Sequence, residues 1–311
     1  MQNLDPAVRD FVQQLGGPPL YTLSPEAARK VLNDLQAKPL AKLPAEVQDL
    51  NLPTDFGQVS VRIVRPPNIT TPLPAVLYLH GGGWILGNEN THDRLIRDIA
   101  NGAEVAVVFV NYTPSPEAQF PVALNQIYAV ATYLAENGAD LNINPSRLAI
   151  VGDSVGGNMA TVICLLSKQY QGPIFRYQAL LYPVTNAKSN TESYKTYADG
   201  PWLTTQAMIW FWDAYQPDIQ KRSDPLMSPL NATVEQLTGL PPALVITDEN
   251  DVLRDEGEAY AHKLMAAKVP VKALRVLGTI HDFAMLNALA NTNETILTLS
   301  ILNDELYRAL H

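Results

Sequence analysis

Short apolar runs alternate with longer stretches of helical spacing through most of the chain after Pro74. The apolar runs cover residues 75–79, 105–110, 148–151, 177–181 and 243–246, and the helical stretches cover 91–101, 118–137, 155–169 and 253–268. Continuous apolar runs of this length are typical of strands buried on both faces of a parallel sheet. Because strands that alternate with helices form right-handed βαβ units, the sequence predicts an open α/β sheet.

The charge and cysteine content exclude several classes of protein. Lys plus Arg number 22 and Asp plus Glu 31 among 311 residues, a net charge of −9, whereas binding to nucleic acid or to anionic membranes requires a basic surface. No apolar run reaches the roughly 20 residues of a membrane span, and the N-terminus lacks the apolar run of a secretion signal. Cys164 has no second cysteine to pair with, as suits a reducing compartment. We expect a cytoplasmic protein with no nucleic-acid partner and no membrane span.

The segment GDSVGG at 152–157 lies between the apolar run 148–151 and a stretch of helical spacing. G-x-S-x-G between a strand and a helix is a nucleophile elbow, a tight turn that exposes the serine hydroxyl at the edge of the sheet. The helix N-terminus also favours the negative charge that develops during attack. A phosphate-binding loop would need G-x-G-x-x-G or a Gly-Lys-Ser ending, and neither is present. The sequence therefore predicts Ser154 as a nucleophile.

Three consecutive glycines follow another apolar run, in the segment HGGGW at 80–84. Consecutive glycines cost conformational entropy, which makes sense where backbone N–H groups must approach a ligand closely. We predict an oxyanion hole formed by the N–H groups of Gly82, Gly83 and Val155, each worth about 3–4 kcal/mol in the transition state. A flexible glycine hinge is the alternative. We expect His80 to brace this loop rather than to act as a base.

A serine nucleophile needs a base, and His281 is the histidine best placed for that role. It follows a predicted strand over 272–277 and a short loop over 278–280. Loops at the carboxyl ends of strands are where α/β sheets place their chemistry. The chain's histidines have no paired metal-ligand spacing, and a lone cysteine excludes a thiolate cluster. We therefore expect no metal and no cofactor.

The acid that orients the base is expected after a strand that lies between the serine and the histidine in sequence. The run 241–247 is such a strand, and several carboxylates follow it. Asp251 is favoured because it ends the loop just before the next helix. Asp248 and Asp255 remain alternatives, although Asp255 also suits a charge at a helix start.

Aromatic residues are concentrated in an interruption of the strand–helix pattern between about residues 189 and 240. Together with residues beside the predicted nucleophile and glycine loop, they suggest an apolar substrate pocket. The predicted substrate contacts are Trp84, Asp153, Trp202 and Phe211. The alternative is that the rings pack this insert onto the sheet.

Four segments in order along the chain resemble the bacterial hormone-sensitive-lipase-like branch of the α/β hydrolases. They are HGGGW at 80–84, GDSVGG at 152–157, DVLRDEG at 251–257 and HDF at 281–283. The resemblance implies an eight-stranded, mostly parallel sheet with helices on both faces. It also implies a helical cap, formed by residues 1–45 and 189–240, over a catalytic domain of residues 46–188 and 241–311.

The resemblance further implies a serine carboxylesterase that hydrolyses short- to medium-chain acyl or aryl esters through an acyl-enzyme. Its partner would be a small-molecule ester, and family precedent makes a homodimer an expectation. An acyltransferase or amidase could use the same triad, and a hydrolase-fold binding protein is a rival from another class. The presence of serine, acid and histidine argues against the binding protein.

Three residues depart from the family pattern. Val155 replaces the usual alanine, Val252 replaces proline, and Asp282 replaces the glycine that usually follows the histidine. None of these changes removes a predicted catalytic group. A second carboxylate beside His281 is expected to raise the pKa of the imidazole.

Overall fold

Eight strands form one sheet in the computed structural model, which describes residues 3–311. The strands are β1 (Glu46–Thr54), β2 (Gly57–Arg65), β3 (Leu73–Leu79), β4 (Ala106–Val110), β5 (Ile143–Asp153), β6 (Phe175–Leu181), β7 (Ala243–Asn250) and β8 (Val271–Ile280). Their order across the sheet is β1-β2-β4-β3-β5-β6-β7-β8. Strand β2 is antiparallel to β1 and β4, and the other neighbours are parallel. The prediction of a mostly parallel eight-stranded sheet is confirmed.

Helices cover the sheet. The α-helices in the described residues are α1 (Pro6–Gln14), α2 (Pro25–Gln36), α3 (Asp93–Gly102), α4 (Val122–Asn137), α5 (Val155–Tyr170), α6 (Glu192–Thr196), α7 (Thr205–Tyr215), α8 (Val234–Leu237), α9 (Arg254–Ala266) and α10 (Asn293–Leu310). Helices α3 and α10 pack together, as do α4 and α5. A hydrogen bond of 2.5 Å between the hydroxyls of Thr161 and Tyr260 joins α5 to α9. Every residue of β3 is buried because both faces of the sheet are covered.

The structure corrects some predicted boundaries. Strand β8 extends to Ile280, so His281 follows the strand directly and the predicted loop over 278–280 belongs to the strand. Helix α4 begins at Val122, whereas helical spacing predicted a start at residue 118. Strand β1 is not predicted from the sequence, because it is a largely exposed edge strand in which apolar residues are few.

Hydrogen bonds attach helix α2 to the loops that follow β3 and β8. Arg29 Nε donates to the carbonyl of Ile85 at 2.8 Å. Gln36 Nε2 donates to the carbonyl of Thr91 at 2.7 Å, and Gln36 Oε1 accepts from the backbone N–H of Asn287 at 2.9 Å. These bonds hold the helix against the carboxyl end of the parallel strands.

The C-terminal helix α10 packs on its own molecule. Its buried face consists of Thr295, Thr298, Leu299, Leu302, Leu306 and Leu310. These leucines belong to the same hydrophobic core as the sheet. Within residues 3–311, the helices lack the combination of length and apolar character needed to cross a bilayer.

Candidate active site

Ser154 lies in a strained turn between the end of β5 and the start of α5. Its backbone has φ 56° and ψ −120°, a conformation that L-residues rarely adopt. The turn is held by a 2.8 Å hydrogen bond from the Ser154 N–H to the carbonyl of Leu181. A side chain on Gly152 would overlap the backbone of Gly156, and one on Gly156 would overlap the backbone of Leu79, so close contact requires a glycine at both positions. The serine is therefore presented at the carboxyl end of the sheet, as the sequence predicts.

His281 joins Ser154 to Asp251 by two hydrogen bonds. Its Nε2 lies 2.9 Å from Ser154 Oγ, and its Nδ1 lies 2.8 Å from Asp251 Oδ2. The carboxylate can only accept, so Nδ1 carries the proton donated to Asp251, and in the neutral imidazole Nε2 is free to accept the serine proton. The other Asp251 oxygen accepts the N–H of Leu253 at 3.0 Å, which fixes the carboxylate. The three side chains follow β5, β7 and β8, whose carboxyl ends meet at one edge.

The two alternative acids lie elsewhere in this loop. Asp255 Oδ2 accepts the N–H of Ser193 at 2.7 Å and its other oxygen pairs with Arg254. Asp248 is fully buried and neither of its oxygens has a hydrogen-bond partner within residues 3–311. Burial and the nearby Asp251 carboxylate raise the pKa of Asp248 well above its ordinary value. Burial and this neighbouring charge therefore favour the protonated form of Asp248, beside the pair formed by Asp251 and His281.

His281 is buried among several acidic groups. Burial disfavours its charged form, but the charges of Asp251 and Asp282 outweigh this and raise the pKa of His281 to about 9. The Asp282 carboxylate raises the pKa of His281, as expected for an acid that directly follows this histidine in sequence. At neutral pH these carboxylates therefore favour the imidazolium, the species that a general base forms when it takes a proton.

The glycine loop after β3 faces the nucleophile. Gly82 and Gly83 both have positive φ, at 104° and 64°. Among the described residues neither N–H makes a hydrogen bond, and Val155 is the first residue of α5, where an N–H has no intrahelical acceptor. Three donors are thus available near Ser154.

His80 contacts the glycine loop through its imidazole ring. Its Nδ1 lies 2.8 Å from the carbonyl of Gly81, and its ring stacks on Tyr112 at a centroid distance of 4.2 Å. The Tyr112 hydroxyl donates to the His80 carbonyl at 3.0 Å. Burial and the neighbouring His92 lower the pKa of His80 to about 3, so it is neutral. These contacts agree with the predicted bracing role.

A mainly apolar cavity of about 460 Å³ opens onto Ser154 and His281. Its walls come from the glycine loop, the N-terminal segment and the 189–240 insert. Trp202 and Phe211, two of the predicted substrate contacts, line the cavity. The N-terminal contributors, which the sequence did not single out, include Leu20, Tyr21, Leu32 and Leu35. Residues 16–19 beside them are all glycine or proline, a pattern that predicts a loop at this position.

Two predicted substrate contacts are wrong. Trp84 is 1% exposed and does not line the cavity, because its ring stacks on Tyr215 of the insert at 4.1 Å. Its contacts with Trp212 and Tyr215 pack the insert onto the sheet, the alternative role for the aromatic residues. Asp153 is fully buried, with its oxygens 2.7 Å from the Tyr78 hydroxyl and 3.3 Å from His92 Nε2. A side chain on Gly81 would overlap Asp153, so this carboxylate lies under the glycine loop.

Comparison with known proteins identifies the family. Residues 76–285 match a family model described as the α/β hydrolase fold. The chain is 45% identical to a thermostable esterase from Pseudomonas putida of known structure, with a TM-score of 0.99 and coverage of 100% of this chain and 99% of that one.

Two further relatives come from different sources. A protein of Acanthamoeba polyphaga mimivirus, named as an α/β hydrolase, is 45% identical over 98% of this chain and 88% of its own length. An ethyl acetate hydrolase of Pseudomonas putida is 36% identical over 87% of this chain and 86% of its own. The chain belongs to the α/β hydrolase family, in its hormone-sensitive-lipase-like branch, and is a hydrolytic enzyme.

Proposed function

We propose that the chain is a serine carboxylesterase and that Ser154, His281 and Asp251 form its catalytic triad. The continuous hydrogen-bonded path from Ser154 Oγ through His281 to Asp251, at the floor of an apolar cavity, carries the proposal. Ester hydrolysis by this arrangement needs no metal and no cofactor.

Each group has a defined part in the reaction. Ser154 Oγ attacks the ester carbonyl while His281 Nε2 takes its proton, and Asp251 stabilises the resulting imidazolium. The N–H groups of Gly82 and Gly83, together with the N–H of the residue after the nucleophile, bind the oxyanion. His281 then gives its proton to the departing alcohol. Water, activated by the same histidine, hydrolyses the acyl-enzyme and restores Ser154.

The cavity favours a small neutral ester. Its volume of about 460 Å³ lies in the range typical of small-molecule sites. Leucine and aromatic side chains are the most numerous apolar groups of the wall, which suits an acyl chain or an aryl group. We therefore propose esters of short- to medium-chain acids as substrates, and the name of the ethyl acetate hydrolase relative supports the short end of this range.

We also propose that residues 1–45 and 189–240 act as a cap on a catalytic domain of residues 46–188 and 241–311. Both segments contribute walls to the cavity over Ser154, which supports this division. Residues 1 and 2 of the cap range lie outside the described residues. The homodimer and the cytoplasmic location stay predictions, and light scattering of the purified protein tests the first.

A panel of p-nitrophenyl esters from acetate to palmitate tests the proposed activity. We expect turnover that is highest for short and medium chains, and a loss on the order of 10⁴-fold or more in kcat for Ser154→Ala. A matched anilide, assayed at the same concentration, distinguishes an amidase. Addition of an alcohol as acyl acceptor distinguishes an acyltransferase. Stoichiometric binding without turnover would contradict the esterase and favour a binding protein.

A further inference from the structure

Asp282 places a second carboxylate beside Nε2 of His281. Its Oδ1 lies 3.4 Å from His281 Nε2, the same nitrogen that lies 2.9 Å from Ser154 Oγ. This oxygen is buried and has no hydrogen-bond partner among the described residues. Asp251 contacts the opposite nitrogen of the ring, so the imidazole is held between two carboxylates.

The position of Asp282 depends on a residue of the insert. The indole N–H of Trp202 donates to Asp282 Oδ2 at 3.0 Å, which leaves Oδ1 facing the histidine. The Trp202 ring in turn packs against Phe11 of α1, with a centroid distance of 5.7 Å. Both segments of the proposed cap therefore help to fix this carboxylate.

We propose that Asp282 is a positioning residue, held by Trp202, that stabilises the protonated form of His281 from its Nε2 side. The inference rests on the proposed function of His281 as general base. During attack the proton moves from Ser154 Oγ to Nε2, and the new N–H lies within reach of Asp282 Oδ1. Asp282 takes no proton; it makes the imidazole more basic. The pH at which the base becomes active is thereby set in part by a contact from the insert.

Other residues also contact His281 or lie close to it, but they are not bonded to the insert through Trp202. Asp251 bonds to Nδ1, Asp248 lies within 4.8 Å of the Asp251–His281 pair, and the charge of Asp153 also favours the imidazolium. Tyr182 packs its ring edge-on against the imidazole at 5.0 Å, and burial keeps its hydroxyl protonated. None of these residues bonds to Trp202, so Trp202 distinguishes the Asp282 contribution from the rest.

The charge of Asp282 is subject to two opposing effects. Burial and the charge of Asp153 raise its pKa above the ordinary value, while the charge of His281 and the Trp202 hydrogen bond act in the other direction. The carboxylate and the imidazolium therefore stabilise each other as a pair. Loss of either the carboxylate or its anchor is expected to make His281 less basic.

Titration of His281 by NMR tests the proposal in the full-length protein. The resonance is identified by its loss in His281→Asn. We expect Asp282→Asn to lower the titration midpoint by about one pH unit or more, with a parallel shift in the acid limb of kcat/KM. Asp199→Asn, which removes an exposed charge from the insert, is the matched control and should leave the midpoint unchanged. Equal midpoints in wild type and Asp282→Asn would overturn the proposal.

Trp202→Phe tests the anchor. This variant removes the N–H donor and keeps an aromatic ring. As a single substitution it should lower the His281 titration midpoint by less than Asp282→Asn does. When it is added to Asp282→Asn, it should lower the midpoint no further. Equal shifts in both backgrounds would show that Trp202 does not act through Asp282. Residue 282 has φ 66°, which Asn and Gly both tolerate, so Asp282→Gly provides a second variant. The NMR titration requires no turnover, so an inactive wild-type protein would contradict the esterase without affecting this test.

Discussion

The ring of Phe211 lies directly against Gly83, so that a Cβ on residue 83 would overlap the ring. One residue belongs to the glycine loop and the other to α7 of the insert. This contact therefore makes the position of the proposed oxyanion donors depend on how the insert is packed.

Replacing Gly83 by alanine should displace the loop. The new methyl group would overlap the Phe211 ring, and φ at residue 83 is already positive, so we expect the loop and its N–H to shift. We expect kcat/KM for p-nitrophenyl butyrate to fall about 10²-fold or more. Gly138→Ala is the control, since its Cβ would meet its nearest neighbour at 3.4 Å, an ordinary contact. Wild-type activity in Gly83→Ala would contradict the assigned role of this N–H.

Asp251 and Asp248 should respond very differently to replacement by asparagine. Asp251→Asn removes the charge that faces His281 Nδ1, and we expect kcat to fall about 10³- to 10⁴-fold. Burial and the Asp251 charge favour the protonated form of Asp248, and neither of its oxygens bonds to His281, so Asp248→Asn should cost less than about tenfold. Steady-state kinetics of the two variants decides between them. If the Asp248 variant were the slower one, the assignment of the acid would be wrong.

Activity should increase with pH while stability decreases. His281 must be neutral to accept a proton and its pKa is about 9, so kcat/KM should rise up to that pH. A folded-state pKa above the unfolded value of 6.5 stabilises the fold fully below pH 6.5. This stabilisation, about 3 kcal/mol, is lost as the pH rises through about 9.

Urea denaturation across this pH range provides the measurement. His281→Asn removes the titrating group and should flatten the decline in unfolding free energy. A wild-type unfolding free energy that rises between pH 6.5 and about 9 would contradict the assigned pKa.

A larger side chain at residue 35 should shorten the acyl chains that the enzyme accepts. Leu35 is a half-buried residue of α2 and lines the cavity. We expect Leu35→Trp to lower the ratio of kcat/KM for octanoate to that for acetate about tenfold. Leu297→Trp introduces the same side chain at a position of α10 that is 57% exposed, and should leave the ratio unchanged. An unchanged ratio in Leu35→Trp would place the acyl chain elsewhere.

The sheet and the hydrogen-bonded residues could be predicted because their signals are local. A strand buried on both faces needs a continuous apolar run, and the sharp turn at Ser154 needs small neighbours at fixed spacing. The predicted fold and family are confirmed. The structure also brings Ser154, Asp251 and His281 within hydrogen-bonding distance, in the order that the sequence predicts.

The cavity walls could not be predicted because they depend on how distant segments pack. Nothing near Trp84 in sequence indicates that its ring stacks on Tyr215, 131 positions later, instead of facing the substrate. Asp153 is likewise drawn under the glycine loop by Tyr78 and His92, which lie on other elements. The contribution of Leu35 becomes visible only when α2 is placed over the sheet.

The cavity wall and the hydrogen-bonded path that it covers are encoded in different stretches of the chain. The side chains that transfer protons follow β5, β7 and β8, whereas much of the wall comes from residues 14–38 and 202–211. Natural variation in those two stretches can therefore change which esters enter while the reactive groups stay the same. Exchange of these stretches between relatives is a direct route to new selectivities on an unchanged reaction.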